Sequence, residues 1–417
     1  MEKKEKALLI GVNINNKNFE HSMEELENLT LACDIDVAGK VEQNLPSVNV
    51  SMYLGTGKVD EVKSLAKDLE VDVVIFNNEL TPSQLRNLEK SLDLPILDKT
   101  ALILEIFSKR ANTKEAKLQV EVAKLKYMLP RLVGLHDSLG RQGGGSGLSN
   151  KGSGEKKLEL DRRRIEDKLT ELNKELEKLT VNRETQRKQR KKSEIPTVAL
   201  VGYTNAGKST LMNKIIEEYK SDDSKKVFEK DMLFATLDTT VRDIEIENNR
   251  KFLLADTVGF ISELPHTLIK AFRSTLLEVR DADLLLHVVD YSDENYKQHI
   301  EVTNQTLKEI GADNINMIYV FNKCDLKFEK LPIVGDKEIY ISAKNKIGLK
   351  ELINMISKEI YLNYIECKFL IPYSDGSIVT YLNDNGIVLK TEYDEMGTIL
   401  TLSLKESDYN KYKKYEI

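Results

Sequence analysis

Cysteine is scarce in this chain. Cys33, Cys324 and Cys367 are the only three in 417 residues, and they lie far apart. Such spacing excludes a disulfide framework or a cysteine-based zinc site and fits a reducing cytoplasm. Long apolar runs are missing too, since none approaches the ~20 residues that a membrane-spanning helix needs. The opening MEKKEKALLIGVNI carries charge and then only a short apolar stretch, which predicts a first β-strand rather than a signal peptide. Nor is there a general excess of positive charge: the net value is −6. Positive charge is instead concentrated. Residues 131–192 hold 17 Lys+Arg against 10 Asp+Glu, a local +7 that leaves −13 for the remainder. One basic segment on an otherwise acidic chain points to a directed contact with a polyanion.

What is present divides the chain into four parts, within the two to four domains that this length allows. Residues 1–112 alternate strand and helix signals. KALLIGVNI, VDVVIFNN and LPILD read as strands, and TPSQLRNLEKSL and KTALILEIFSKRA as helices. Thr81 is the expected N-cap, with Pro82 at the first helical position. Alternation of this kind predicts a small, mostly parallel α/β sheet. In residues 113–193 the period changes. Leu118, Val122, Leu125 and Leu129 form one apolar seam, which Pro130 is expected to interrupt. Ile165, Leu169, Leu172, Leu176 and Leu179 form another. The two predict a long antiparallel helical hairpin whose tip is the Gly/Ser-rich stretch around 140–155. If residues 155–193 form one helix, it is about 58 Å long at ~1.5 Å per residue. The α/β pattern restarts over 194–363, with strands expected at TVALVG, KFLLAD, DLLLHVVD, NMIYVFN and EIYIS. Residues 364–417 predict a small α+β domain of two strands around a turn and one short helix.

The chemistry is concentrated in 194–363. GYTNAGKST fits G-x-x-x-x-G-K-[ST] between a strand and a helix, the context that marks a phosphate-binding loop. Gly202, Tyr203, Thr204, Asn205, Ala206 and Gly207 supply the loop, whose backbone N–H groups curl around phosphates. Lys208 is expected to reach the β- and γ-phosphates, and the Ser209 hydroxyl to ligate Mg²⁺. About 115 residues on, Asn322, Lys323, Cys324 and Asp325 form an N-K-x-D element. The Asp325 carboxylate can accept both N1–H and N2–H₂ of guanine, a pair that adenine does not offer. Ser342, Ala343 and Lys344 fit the companion element, with the Ser342 and Ala343 N–H groups expected at guanine O6. In this order and spacing the elements specify GTP as substrate. In DTVGF, Asp256 is placed to hold Mg²⁺ through water, followed by Thr257 and Val258, and the Gly259 N–H is placed to meet the γ-phosphate. The next position often carries a Gln that orients water; Phe260 cannot do so. Intrinsic hydrolysis should therefore be slow, with a partner surface, K⁺ or a rearranged switch completing the site. The first switch is expected in DMLFATLDTTVRD, with Phe234, Ala235, Thr236, Leu237 and Asp238 near the nucleotide. Thr236 is the favoured Mg²⁺ ligand and Thr240 the alternative. Lys208, Thr236 and Gly259 are the candidate catalytic groups.

GYTNAGKS, FATLD, DTVGF and SAK, with LPHTLIKAFRSTL after the third, resemble the HflX family of GTPases. The likeness extends to GTGKVDEV, NNELTPSQLRNLE, LILEIFSKRANTKEAKLQVEVAKLKYMLPRL and GEKKLELDRRRIEDKL, covering nearly the whole chain. The resemblance implies a cytoplasmic, monomeric GTPase that binds the large ribosomal subunit and dissociates ribosomes under stress. It also implies that the arm faces rRNA, with Gly143, Gly144 and Gly145 allowing close backbone approach. Arg131, Arg141, Lys151, Arg162, Arg163 and Arg164 would meet phosphates. Two departures stand out. Thr239 occupies a place where the family often has Pro, and GSGEKK replaces a G-P-G-E-T pattern at the tip. Two other readings stay open at this level: action on another RNA in tRNA modification or rRNA assembly, and clearance of an antibiotic from the ribosome. GTGK at Gly55–Lys58 is too short for a second phosphate loop and reads as a turn and helix start.

Overall fold

The computed structural model describes residues 4–16, 18–139, 151–192, 195–219, 240–246, 250–261 and 278–417. These fall into two compact units, residues 4–181 and residues 182–417. The first opens with a four-stranded parallel sheet in the order β2-β1-β3-β4. Its strands are β1 (Lys6–Asn13), β2 (Asp36–Asn44), β3 (Val73–Phe76) and β4 (Ile96–Asp98). Leu8, Ile10, Val74 and Phe76 are fully buried, as expected of central strands covered on both faces. β2 was not foreseen. Its sequence, DVAGKVEQN, is polar because it is an edge strand.

Four helices connect and flank these strands: α1 (Phe19–Ala32), α2 (Thr56–Asp68), α3 (Pro82–Leu92) and α4 (Lys99–Arg110). Thr81 caps α3 as expected, and Gln84 completes a capping box. Gly55 is the N-cap of α2, so GTGK is a helix start. The ion pair of Lys99 with Glu25 (2.8 Å) is almost wholly buried between α4 and α1.

The arm follows as α5 (Lys114–Leu139) and α6 (Lys151–Lys192). Leu118, Val122 and Leu172 are buried between them, with Leu125, Leu169, Leu176 and Leu179 packed alongside. Lys114 pairs with Glu175 (3.1 Å) and, seven residues on, Glu121 pairs with Lys168, seven residues back. Opposite directions of travel fix the helices as antiparallel. At ~1.5 Å per residue, the 42 residues of α6 span about 63 Å. Two expectations need correction. Pro130 does not end α5, which runs on to Leu139; the Arg131 side chain reaches back to the Tyr127 carbonyl (2.9 Å) beside the turn that proline opens. The tip is also shorter than expected, because α6 starts at Lys151.

The second unit contains a seven-stranded mixed sheet, β10-β11-β9-β8-β5-β7-β6. β5 (Thr197–Val201), β7 (Arg250–Asp256), β8 (Leu284–Asp290), β9 (Met317–Asn322) and β11 (Glu338–Tyr340) are parallel. The antiparallel edges are β6 (Thr240–Ile246) and β10 (Ile333–Val334). Around it lie α7 (Lys208–Tyr219), α8 (Tyr296–Glu309) and α9 (Leu349–Ile360). The core is continuous across the sheet, from Leu200, Leu254 and Leu286 to Leu211, Ile215, Leu352 and Ile356.

The last 54 residues depart from expectation. They form three antiparallel strands in the order β12-β14-β13, where β13 is Ile387–Asp394, with α10 (Gly376–Asn385) and α11 (Glu406–Tyr412). The extra strand is β12 (Tyr364–Ile371), which pairs along its whole length with β14 (Gly397–Lys405). No helix among the described residues is long and apolar enough to cross a membrane.

Candidate nucleotide site

The carboxyl end of β5, which lies between β7 and β8, runs into a loop over 202–207 that is buried except at Asn205 and Gly207. Gly202 has φ of 143° and Gly207 has φ of 91°, a region that side-chain-bearing residues rarely enter. Space reinforces the choice: a Cβ on Gly202 would strike the Val288 carbonyl oxygen, and one on Gly207 would strike Asn322 Nδ2. The loop turns into α7 at Lys208, whose ammonium donates to the carbonyls of Gly202 (3.0 Å) and Tyr203 (2.7 Å). Burial pushes the Lys208 ammonium down to about 8, while the Asp256 charge pulls it back up. The next residue, Ser209, donates its hydroxyl to Asp256 Oδ2 at 2.7 Å. Asp256 ends β7 and is fully buried.

Beyond Asp256 the chain stays against the loop. Thr257 donates its hydroxyl to the Leu200 carbonyl at 2.6 Å, and Val258 is buried. Phe260 bridges Tyr203 in strand fashion: its N–H donates to Gly202 O (3.1 Å), and its carbonyl accepts from Thr204 N–H (2.8 Å). The Phe260 side chain is buried. Gly259 lies so close that a Cβ would sit 2.8 Å from Thr204 and 3.0 Å from Lys208 Nζ.

On the other side of the loop, Asn322 closes β9 and braces three segments at once. Its Nδ2 donates to the Ala206 carbonyl (3.0 Å) and its Oδ1 accepts from Ala343 N–H (2.9 Å). The amide side chain supplies both roles from one short group, a donor on its nitrogen and an acceptor on its oxygen. Lys323 adopts a left-handed backbone (φ 60°) and pairs with Asp290 at 2.8 Å. Half-buried Asp325 accepts from Asn345 Nδ2 at 3.2 Å. Cys324 is a core residue, buried among Val289 and Phe321 with its thiol on the Phe321 carbonyl (3.2 Å).

The sequence-predicted groups are thus brought together, with corrections. The Ser342 and Ala343 N–H groups, expected at guanine O6, are engaged within the protein: Ser342 N–H donates to Ile347 O (3.1 Å) and Ala343 N–H to Asn322. They hold the loop in shape. Lys344, next in the chain, is exposed. Thr240 opens β6 opposite Asp256. Phe234, Ala235, Thr236, Leu237 and Asp238 lie outside the described residues, as do Arg141, Gly143, Gly144 and Gly145. Lys151 is the first residue of α6. Arg162, Arg163 and Arg164 are exposed and paired along their own helix with Glu166, Glu159 and Asp161.

Arg131 is the clearest departure. Its guanidinium stacks over the Tyr127 ring (3.4 Å) and binds Asp98 (3.1 Å), Glu79 (3.3 Å) and the Leu80 carbonyl (3.0 Å). With its side chain only 11 % exposed, it is a structural tie rather than a phosphate contact.

Two site-adjacent residues escaped the sequence reading. His287 lies in the middle of β8, buried beside Tyr319, and is pushed down to about 3 by burial and then by the Lys208 charge. The only signal was a lone polar residue in LLLHVVD. His299, on α8, stacks on Tyr203 and left no signal at all.

Family models match in three consecutive blocks: "GTP-binding GTPase N-terminal" over residues 20–108, "GTP-binding GTPase Middle Region" over 110–190 and "50S ribosome-binding GTPase" over 197–323. GTPase HflX of Caldanaerobacter subterraneus subsp. tengcongensis is 44% identical over 94% of this chain and 90% of its own. GTPase HflX of Escherichia coli K12 is 35% identical over 99% and 96%. A solved GDP complex of a GTP-binding protein from the archaeon Sulfolobus solfataricus is 25% identical, covers 85% of this chain and 98% of its own, and superposes with a TM-score of 0.44. With a phosphate-binding loop, an N-K-x-D element beside it and likeness over 94% to 99% of the chain in agreement, the chain belongs to the HflX family of GTPases.

Proposed function

We propose that this GTPase binds the large ribosomal subunit, holds a ribosome-engaging conformation while GTP is bound, and leaves after hydrolysis. In doing so it dissociates or rescues ribosomes under stress. The observation that carries the reading is the pairing of a domain similar to a 50S ribosome-binding GTPase with a long basic arm.

In this reading Lys208 holds the β- and γ-phosphates, Asn322 and Asp325 fix the guanine, and the Gly259 N–H senses the γ-phosphate. The hydroxyl of Ser209 and the carboxylate of Asp256, adjacent at 2.7 Å, are hard oxygen donors that suit Mg²⁺, Ser209 as a direct ligand and Asp256 through water. Thr236, with Thr240 as the alternative, is proposed to add a second direct hydroxyl ligand. Bound there, the ion would neutralise charge on the phosphates. Phe260 presents no group that can orient water, so turnover is slow until the ribosome, or K⁺, completes the site.

The working division is an N-terminal α/β domain (1–112), the arm (113–193), the GTPase domain (194–363) and a small C-terminal domain (364–417). The arm tip, with Arg141, Gly143, Gly144, Gly145 and Lys151, would approach rRNA. Arg162, Arg163 and Arg164 would exchange exposed intrahelical partners, worth little in water, for phosphates. Sedimentation of intact ribosomes with a non-hydrolysable GTP analogue tests this. Subunits should separate in its presence; ribosomes that stay intact and unbound would move the search to other RNAs.

A further inference from the structure

We infer that His299 is a positioning residue of the GTPase reaction, acting through Tyr203 of the phosphate-binding loop; the inference rests on the GTP-hydrolysing reading above. Tyr203 carries no side-chain group the phosphates require, yet its ring is buried and stacked on the His299 imidazole, centroids 3.9 Å apart and planes 10° from parallel. His299 is held in turn. It lies one turn into α8, its Nδ1 is 3.9 Å from Asp293 Oδ2, and Asp293 Oδ1 accepts the Asn295 N–H at 2.7 Å just before the helix.

The backbone around Tyr203 is where the reacting end of the site is tied together. Its carbonyl and that of Gly202 both accept from Lys208, and the Gly202 carbonyl also accepts from Phe260 N–H. The Thr204 N–H completes the strap through the Phe260 carbonyl. The flanking residues Gly202 and Asn205 have φ of 143° and 61°, so the loop is held by its surroundings rather than by local preference. A ring clamped against α8 supplies such a hold. Removing the clamp therefore loosens Lys208 and Gly259 together. The brace through Asn322 is made by its own amide to the Ala206 carbonyl and the Ala343 N–H rather than by the ring stack, and is expected to stay in place. The expected signature is a loss in turnover with nucleotide affinity largely kept.

The test uses the full chain with His299→Ala and His299→Phe. GTP hydrolysis is measured under single-turnover conditions, GDP affinity by titration of a fluorescent GDP analogue, and folding by thermal melting. An aromatic stack is worth enough to change a rate by up to about tenfold. His299→Ala should slow hydrolysis by about that factor with GDP affinity within about threefold. His299→Phe, which keeps a stacking ring and drops the pairing to Asp293, should restore the rate to within about twofold. Unchanged hydrolysis in His299→Ala overturns the inference, as does a His299→Phe variant that melts like the parent but hydrolyses as slowly as His299→Ala. A parent chain that binds no GTP would instead sink the underlying reading, and the inference with it.

Discussion

Charge is handled in opposite ways at the nucleotide site and on the arm. At the head of β5, Lys208 and Asp256 are buried, and Lys208 is tied to two backbone carbonyls while Asp256 accepts from Ser209. Along α6, Arg162, Arg163 and Arg164 stand in solvent and pair with carboxylates one turn away. A buried charge is costly to leave unpaired, so its partners fix its position. An exposed pair is weak and screened by salt, so it can be traded for another anion. One region holds a geometry, and the other keeps its cations available. The same contrast separates Arg131, locked among Asp98, Glu79 and Tyr127, from the arginines only thirty residues further on.

The comparison can be broken, or sharpened, by substitutions on each side. The largest effect belongs to Lys208→Ala. On the proposed role of Lys208 at the phosphates, losing its charge should lower GTP turnover by about 10²–10³-fold in a phosphate-release assay. On the arm, Leu172→Ala removes a buried knob from a seam only two helices thick. It should cost about 2 kcal/mol in the first unit's stability, read by denaturant unfolding. His287 gives a smaller, pH-dependent effect. Folding holds it down at about 3 from an ordinary value of 6.5. The unfolded chain therefore takes up a proton below about 6.5 that the folded chain refuses. Stability should fall as pH drops through that window, by up to about 1.4 kcal/mol per pH unit. His287→Leu should flatten this slope between pH 6.5 and 4. The smallest effect on folding belongs to the triple change of Arg162, Arg163 and Arg164 to Ala, which should leave the melting temperature near that of the parent. Its signature lies in binding: the slope of log ribosome affinity against log salt should shrink by about two. A large loss of stability in that triple variant would erase the contrast between the regions.

Parts of this were legible in the sequence because they are local. The loop GYTNAGKS carries its turn geometry in two glycines, and Thr81-Pro82 with Gln84 writes a helix start in four residues. The arm's heptad spacing is local too, and Leu118, Val122 and Leu172 are buried where that period put them. What stayed hidden depends on partners far along the chain. β2 is polar because it lies at a sheet edge, and β12 exists because β14 lies beside it. Pro130 sits in a continuous helix, with the Arg131 side chain reaching back beside it. The Ser342 and Ala343 N–H groups are spent on Ile347 and Asn322, a pairing that their spacing does not reveal. The Tyr203–His299 stack joins residues nearly a hundred positions apart.

The central claim is that the arm and the GTPase site work on one partner. GTP turnover measured with and without purified large ribosomal subunits tests it most directly, using the intact chain and a variant with residues 141–150 shortened. The account predicts stimulation of the intact chain by at least about tenfold, largely lost in the shortened variant. Equal turnover with and without subunits, and no co-sedimentation of either protein with them, would contradict it.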